Sequence, residues 1–195
     1  MPRCCLRRQF VWRSATSSRR IAGKFAPARK WNSSPRCREV DLQLRTFLTD
    51  QEIRPHELLA EFLNGSDEVG ALVSFCGLAR ARGSSDGAPL RLLRLERHPR
   101  LTERSLETIA RDAAGRFELA SLLVVHRWGK ISPREVIVFV ATAARHRRAA
   151  FLGADYLMDR LKTEAVLWKK EEGIDGGRWI EPSDADRAAL ARWDD

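Results

Sequence analysis

A chain of 195 residues, 44% hydrophobic and 31% charged, has the size and composition of one domain with a full apolar core. Its formal charge of +9 averages two unlike parts: residues 1–38 hold eleven of the 35 Lys and Arg and none of the 26 Asp and Glu, so the body is slightly acidic. No apolar stretch is long enough to span a membrane, and the single body cysteine, Cys76, excludes a disulfide framework or a CxxC metal site there.

The leader, 1–39, is rich in Arg and Ser and lacks the hydrophobic run of a secretory signal. It has too little apolar surface to order by itself. Three readings stay open: an organelle transit peptide, a stretch translated from too early a start codon, and a basic arm that engages RNA. The acidic body offers no matching basic face, so the arm ranks last and no nucleic-acid or membrane partner is expected. The body, 40–195, reads as a single domain in a reducing, cytoplasmic setting, unless the leader directs it to an organelle. Cys76 ends an apolar run and reads as a small buried residue rather than a nucleophile.

Residues 40–44 alternate like a short strand, and 55–63 form a short amphipathic helix stopped by Asn64-Gly65. A strand over 70–76 ends at Gly77, and a polar, mobile loop follows over 80–89. A second strand over 90–97 puts Leu93 and Leu95 on one face, Arg94 and Glu96 on the other. Thr102 can cap a helix running to about Phe117, with Leu106, Ile109, Ala110 and Ala113 inward. Two apolar strands, 119–127 and 136–142, flank a turn at Gly129 and Pro133. A long helix starts near His146 and carries Lys162; a flexible loop at 173–177 and a last strand at 178–181 follow. Adjacent strands with single helices argue for an α+β fold, with helices on one side of a mostly antiparallel sheet.

Lysine is scarce. Of six in the chain, three fall in one short stretch: Lys162, Lys169 and Lys170. Only an ammonium sheds its proton near neutral pH when partly buried; a guanidinium does not. Phe151, Ala154, Leu157, Met158 and Leu161 make an apolar stripe, and Phe151, Met158 and Lys162 share one narrow line on it, which puts Lys162 on the buried face. If the helix continues, Lys169 stacks two turns further along. Periodicity leaves a second reading equally open, in which Lys162 snorkels from the helix end and Lys169 and Lys170 merely suit the C-terminal dipole. Arg80, His146 and Arg147 sit at element ends, the latter two near a helix N-terminus, and with the lysines they suit a small anionic substrate such as a phosphate ester.

The order of these pieces resembles the large, catalytic subunit of molybdopterin synthase. The resemblance is carried by Gly70-Ala71-Leu72-Val73-Ser74-Phe75-Cys76-Gly77-Leu78-Ala79-Arg80, by Leu95-Glu96-Arg97-His98-Pro99, and by Val125-His126-Arg127-Trp128-Gly129. It continues through His146-Arg147, Leu161-Lys162-Thr163, Trp168-Lys169-Lys170-Glu171 and Arg178-Trp179-Ile180-Glu181, and so spans about 40–182. The Leu-Lys-Thr and Trp-Lys-Lys-Glu segments are its specific part.

The resemblance implies an α/β-hammerhead fold and a homodimer. Each protomer would bind a small ubiquitin-like sulfur carrier ending in Gly-Gly, giving a heterotetramer. The reaction would insert two sulfurs, from the carrier's C-terminal thiocarboxylate, into cyclic pyranopterin monophosphate to make molybdopterin, with no metal or cofactor. It implies Lys162 and Lys169 as catalytic lysines. Leu78, Ala79, Arg80, His146, Arg147, Lys162, Lys169, Lys170 and Glu171 would be the substrate-binding positions. Three positions depart from the family pattern: Arg97-His98-Pro99 replaces His-Tyr-Pro, Leu78 is often basic in the family, and Arg145 stands where a small residue is common. A noncatalytic dimeric scaffold for the carrier is the rival class.

Overall fold

The computed structural model describes residues 43–64, 69–83, 87–174 and 176–194. The leader, residues 40–42 of the first expected strand, and the middle of the 80–89 loop lie outside the described residues. The elements run β1 (Gln43–Thr49), α1 (Pro55–Leu63), β2 (Ala71–Leu78), β3 (Leu90–Arg97), α2 (Leu101–Arg116), β4 (Ser121–Arg127), β5 (Gly129–Ile131), β6 (Val136–Ala144), α3 (Arg147–Thr163), β7 (Leu167–Gly173), β8 (Gly177–Ile180) and α4 (Asp184–Ala191).

Two four-stranded sheets form where one was expected, in the orders β1-β4-β6-β2 and β5-β3-β7-β8. Among the described residues only β1–β4 is a parallel pair. The first sheet is built on β4 and β6, whose near-continuous apolar runs suit central strands buried on both faces. Leu122, Val124, Val138 and Val140 pack under α2 and α3, while Leu123, Val125, Phe139 and Ala141 face the opposite way, onto Ile53 and Phe62. The helices therefore cover both faces, and α1 supplies the second cover. The α+β expectation holds; the one-sided arrangement does not.

Leu106, Ile109, Ala110 and Ala113 of α2 are all buried, as their spacing predicts. The helix start differs. Thr102 lies inside the first turn with no exposed surface, and the N-cap is Arg100, which makes no side-chain cap bond. The His98 ring does that work instead: its Nδ1 accepts from the backbone N–H groups of Arg100 (3.4 Å) and Leu101 (3.2 Å). His98, one of the three departures from the family pattern, thus terminates a helix.

In α3 the buried residues are Ala150, Gly153, Ala154, Tyr156, Leu157 and Leu161. A Cβ on Gly153 would lie 2.9 Å from both Leu119 methyl carbons, so bare backbone lets the helix sit this close. Thr142 donates its hydroxyl to the Ala150 carbonyl (2.8 Å) and ties β6 to α3. Phe151 is 62% exposed. The buried face is thus rotated away from the Phe151–Met158–Lys162 line, a correction to the stripe read from sequence.

Other local readings change. The turn after β4 contains a third short strand, β5. The expected loop at 173–177 is a hairpin connection, with Gly173 in β7 and Gly177 in β8. Cys76 is exposed rather than buried, because β2 is an edge strand. Beyond the last expected strand the chain adds α4, opened by a capping box in which Ser183 and Asp186 satisfy each other's backbone N–H groups. Among the described residues, no helix is long and apolar enough to cross a membrane.

Candidate functional site

The site grows from the second sheet. Leu93 and Leu95 of β3 are buried with Ala79 and Ile131 in a small apolar cluster. β3 pairs with β7 in the register Leu93↔Glu171, Arg94↔Lys170 and Leu95↔Lys169. Residues directly opposite in an antiparallel pair project to the same face. Lys169 and Glu171 therefore share the face of Leu93 and Leu95, and Lys170 takes the other.

This placement sets the chemistry of Lys169. Its side chain is 41% exposed. Burial pushes the amine below its ordinary value; nearby Glu171 opposes that, and the cations Arg80 and Lys162 add to it. Glu171 is itself 5% exposed, its carboxylate 3.9 Å from Lys169 Nζ and 3.7 Å from an Arg178 nitrogen. Buried Ala79 anchors the end of β2, leaving exposed Arg80 within electrostatic reach of Lys169. Leu78, one residue earlier, is 56% exposed.

Lys162 reaches this group by another route. The helix stops at Thr163, and Lys169 stands on β7, so the two lysines do not stack along one helix. Tertiary folding brings them together: the chain reverses after α3 and returns Lys169 to the neighbourhood of Lys162. Lys162 is not on the buried face. Its side chain is 58% exposed, and its ammonium lies 2.7 Å from Asp186 Oδ1. Asp186 went unnoticed in the sequence because the resemblance ends at Glu181. The signal was the Ser-x-x-Asp pattern at 183–186, which announces a helix start.

Three expected members stand apart. Lys170 projects from the opposite face of β7, where its Nζ lies 5.5 Å from the Trp179 ring centroid. His146 is the N-cap of α3 and Arg147 its first residue, both exposed. Lys162 lies fifteen residues further along the same helix, about 22 Å away. Within one chain, then, Arg80, Lys162, Lys169 and Glu171 gather, and His146 and Arg147 do not join them. Among the described residues no three His, Cys, Asp or Glu side chains gather as a metal-binding set.

An α+β domain with a half-buried amine held among a guanidinium, a second ammonium and a buried carboxylate can bind and neutralise a small anion. The family model described as MoaE protein matches residues 48–164. The molybdopterin synthase catalytic subunit of Caulobacter vibrioides is 51% identical over 147 residues, covering 75% of this chain and 95% of that protein. The subunit of the same name from Cereibacter sphaeroides is 43% identical, covering 73% and 97%. The solved MoaE protein of Burkholderia ambifaria MC40-6 superposes with a TM-score of 0.63 at 37% identity, over 77% of this chain and 97% of that one. The chain belongs to the MoaE family of molybdopterin synthase catalytic subunits. The matched segment 48–164 contains Arg80, His146, Arg147 and Lys162 and ends before Lys169, Lys170, Glu171 and Asp186.

Proposed function

We propose that this chain is the catalytic subunit of a molybdopterin synthase. It converts cyclic pyranopterin monophosphate to molybdopterin, using two sulfurs from the C-terminal thiocarboxylate of a small ubiquitin-like carrier subunit that ends in Gly-Gly. The observation that carries this reading is Lys169: an amine destabilised as an ammonium by burial and by Arg80 and Lys162, on the scaffold of this family. The substrate is a cyclic phosphate and the attacking thiocarboxylate is also an anion. Bringing the two together needs cations already in place. Lys162 and Arg80 supply fixed charge, and Lys169, whose ammonium burial disfavours, serves as acid or base. Ala79 and Leu78 shape the approach beside Arg80, and Glu171 holds Lys169 in position.

The separation along α3 supports a homodimeric reading of the rest of the site. If His146 and Arg147 hold the substrate phosphate, about 22 Å from Lys162 on their own helix, the copies that do so come from the second protomer. Two protomers with one carrier each then make the heterotetramer. The working compartment is the cytoplasm, residues 1–39 are a leader outside the catalytic domain 40–195, and the site takes no metal or other cofactor.

The test is conversion of the cyclic pterin in vitro with a thiocarboxylated carrier. Molybdopterin should form with the wild-type chain and not with Lys169→Ala. Carrier binding without turnover by the wild-type chain would reduce the protein to a scaffold.

A further inference from the structure

We propose that Asp186, on the helix that closes the chain, is a positioning residue for sulfur transfer: it holds the Lys162 ammonium as a fixed cation beside the Lys169 amine. The proposal rests on the function above and adds a part of the site that lies beyond the segment shared with the family model.

Lys162 occupies the last turn of α3 on a long, mostly exposed stem. Such an ammonium has no preferred direction of its own, and an exposed ion pair ordinarily does little for stability. This pair is built differently, because its acid cannot swing. Oδ1 of Asp186 accepts from Lys162 at 2.7 Å, while Oδ2 accepts from the Ser183 backbone N–H at 3.1 Å and from the Ser183 hydroxyl at 2.8 Å. Both carboxylate oxygens are engaged, and the side chain is only 23% exposed.

The far end of α4 is fastened as well. Trp193 donates its indole N–H to Asp159 of α3 at 2.8 Å, and Arg192 reaches Asp155 at 2.7 Å and Asp159 at 2.6 Å. The Trp193 ring stands edge-on to Phe117 and Tyr156, with centroids 5.8 and 5.3 Å away. The helix is thus tied at both ends to the element that carries Lys162. The carboxyl is pushed down to about 2, chiefly by Lys162, so it is an anion at any working pH. Lys169 feels both partners: Lys162 disfavours its charged form and Asp186 favours it.

The experiment measures turnover against pH with thiocarboxylated carrier and cyclic pterin, using the full chain and its Asp186→Asn, Asp186→Ser, Asp186→Glu, Ser183→Ala and Lys169→Ala variants, with thermal melts beside. Asn removes the charge and keeps an oxygen for the cap bonds, while Ser removes the charge and the carboxyl together, so whichever of them folds carries the test. The expected result is a fall in kcat of at least about tenfold with a smaller change in KM, the size of effect that displacing a reacting group produces. Without the Asp186 charge Lys169 gives up its proton more easily, so the pH profile moves to lower pH. Glu restores part of the rate. Ser183→Ala, which removes the hydroxyl bond to Oδ2 but leaves the ion pair and the bond from the Ser183 N–H, loses clearly less than Asp186→Asn.

A neutral variant with wild-type kcat and an unmoved profile overturns the proposal. So does one faster than wild type, since the contact would then obstruct the site. A Ser183→Ala loss equal to that of Asp186→Asn also overturns it, leaving a helix cap only. If Lys169→Ala retains the wild-type rate, the proposed function fails instead, whatever Asp186 does.

Discussion

The hydroxyl of Thr102, in the first turn of α2, donates to the backbone carbonyl of Val166 at 2.5 Å, and Ser105 Oγ accepts from the N–H of that same residue at 3.2 Å. The residue at which the chain leaves α3 for β7 is therefore gripped at both its polar groups, three positions before Lys169. The same Thr102 oxygen accepts from His98 N–H at 2.9 Å. Thr102→Val keeps the shape but takes this partner from the half-buried Val166 carbonyl and the His98 N–H, and should cost about 1 kcal/mol. It should also lower turnover through Lys169, in excess of any effect on carrier binding. Thermal melts and kcat measured together check this; unchanged values of both would remove Thr102 from the argument.

Lys169 and Lys170 are neighbours in sequence and opposites in space. Lys169→Ala and Lys169→Arg should each lose about a hundredfold or more in kcat while melting normally, because neither offers an amine that exchanges a proton there. Lys170→Ala should keep most activity and lose at most about 1 kcal/mol of cation–π contact with Trp179. Lys162→Arg retains a cation for Asp186 and should lose less than Lys169→Arg. Equal losses for Lys169→Ala and Lys170→Ala would count against a one-faced site.

Much of the fold was legible because its signals are local. Residues 55–63, the inward side of α2 and the strand at 90–97 follow from periodicity alone. The lysine pair was legible as an oddity of composition, but its geometry was not. Reading Lys169 onto the α3 stripe assumed that the helix continues, whereas the chain turns after Thr163 and strand alternation takes over. Phe151 and Met158 match a helical stripe by spacing, yet burial follows Gly153 and Leu157, where the helix approaches its neighbours most closely. Asp186 reaches Lys162 from 24 residues away, a partnership no window of sequence contains.

Stability should fall on acidification in two separate windows. His126 is buried, and its Nδ1–H donates to the Arg127 carbonyl at 2.8 Å. Burial pushes the imidazole below its ordinary 6.5. Below pH 6.5 the unfolded chain takes up a proton that the folded one refuses, so this contribution is intact above that value and lost as pH falls past it. Asp186, lowered from 3.8 to about 2, contributes stability that is intact above 3.8 and lost as pH drops from there toward 2. Melting temperature against pH should show the first decline in wild type and a flatter curve in His126→Gln. An identical slope in that variant would assign the decline to other groups.

Residues 1–38 carry eleven basic residues and no acid, with little apolar surface, and the family match begins at residue 48. A chain starting at Glu39 should therefore match the full chain in melting temperature and turnover. A large loss of either would make the leader part of the working domain.

The sharpest prediction concerns sharing of the site between protomers. Arg147→Ala and Lys169→Ala should each be inactive alone. When the two are co-expressed with different tags, half of the dimers are mixed, provided association is random. If Arg147 of one protomer serves Lys169 of the other, both defects in a mixed dimer fall on one site and leave the second intact. About a quarter of the wild-type activity then returns, and it purifies with both tags. If instead each site draws both residues from one chain, every site in the mixed dimer carries a defect and no activity returns. Arg147 lies at one end of α3 and Lys162 at the other, about 22 Å apart. That distance favours recovery; a mixed dimer that forms and stays inactive would break the link between Arg147 and the lysines.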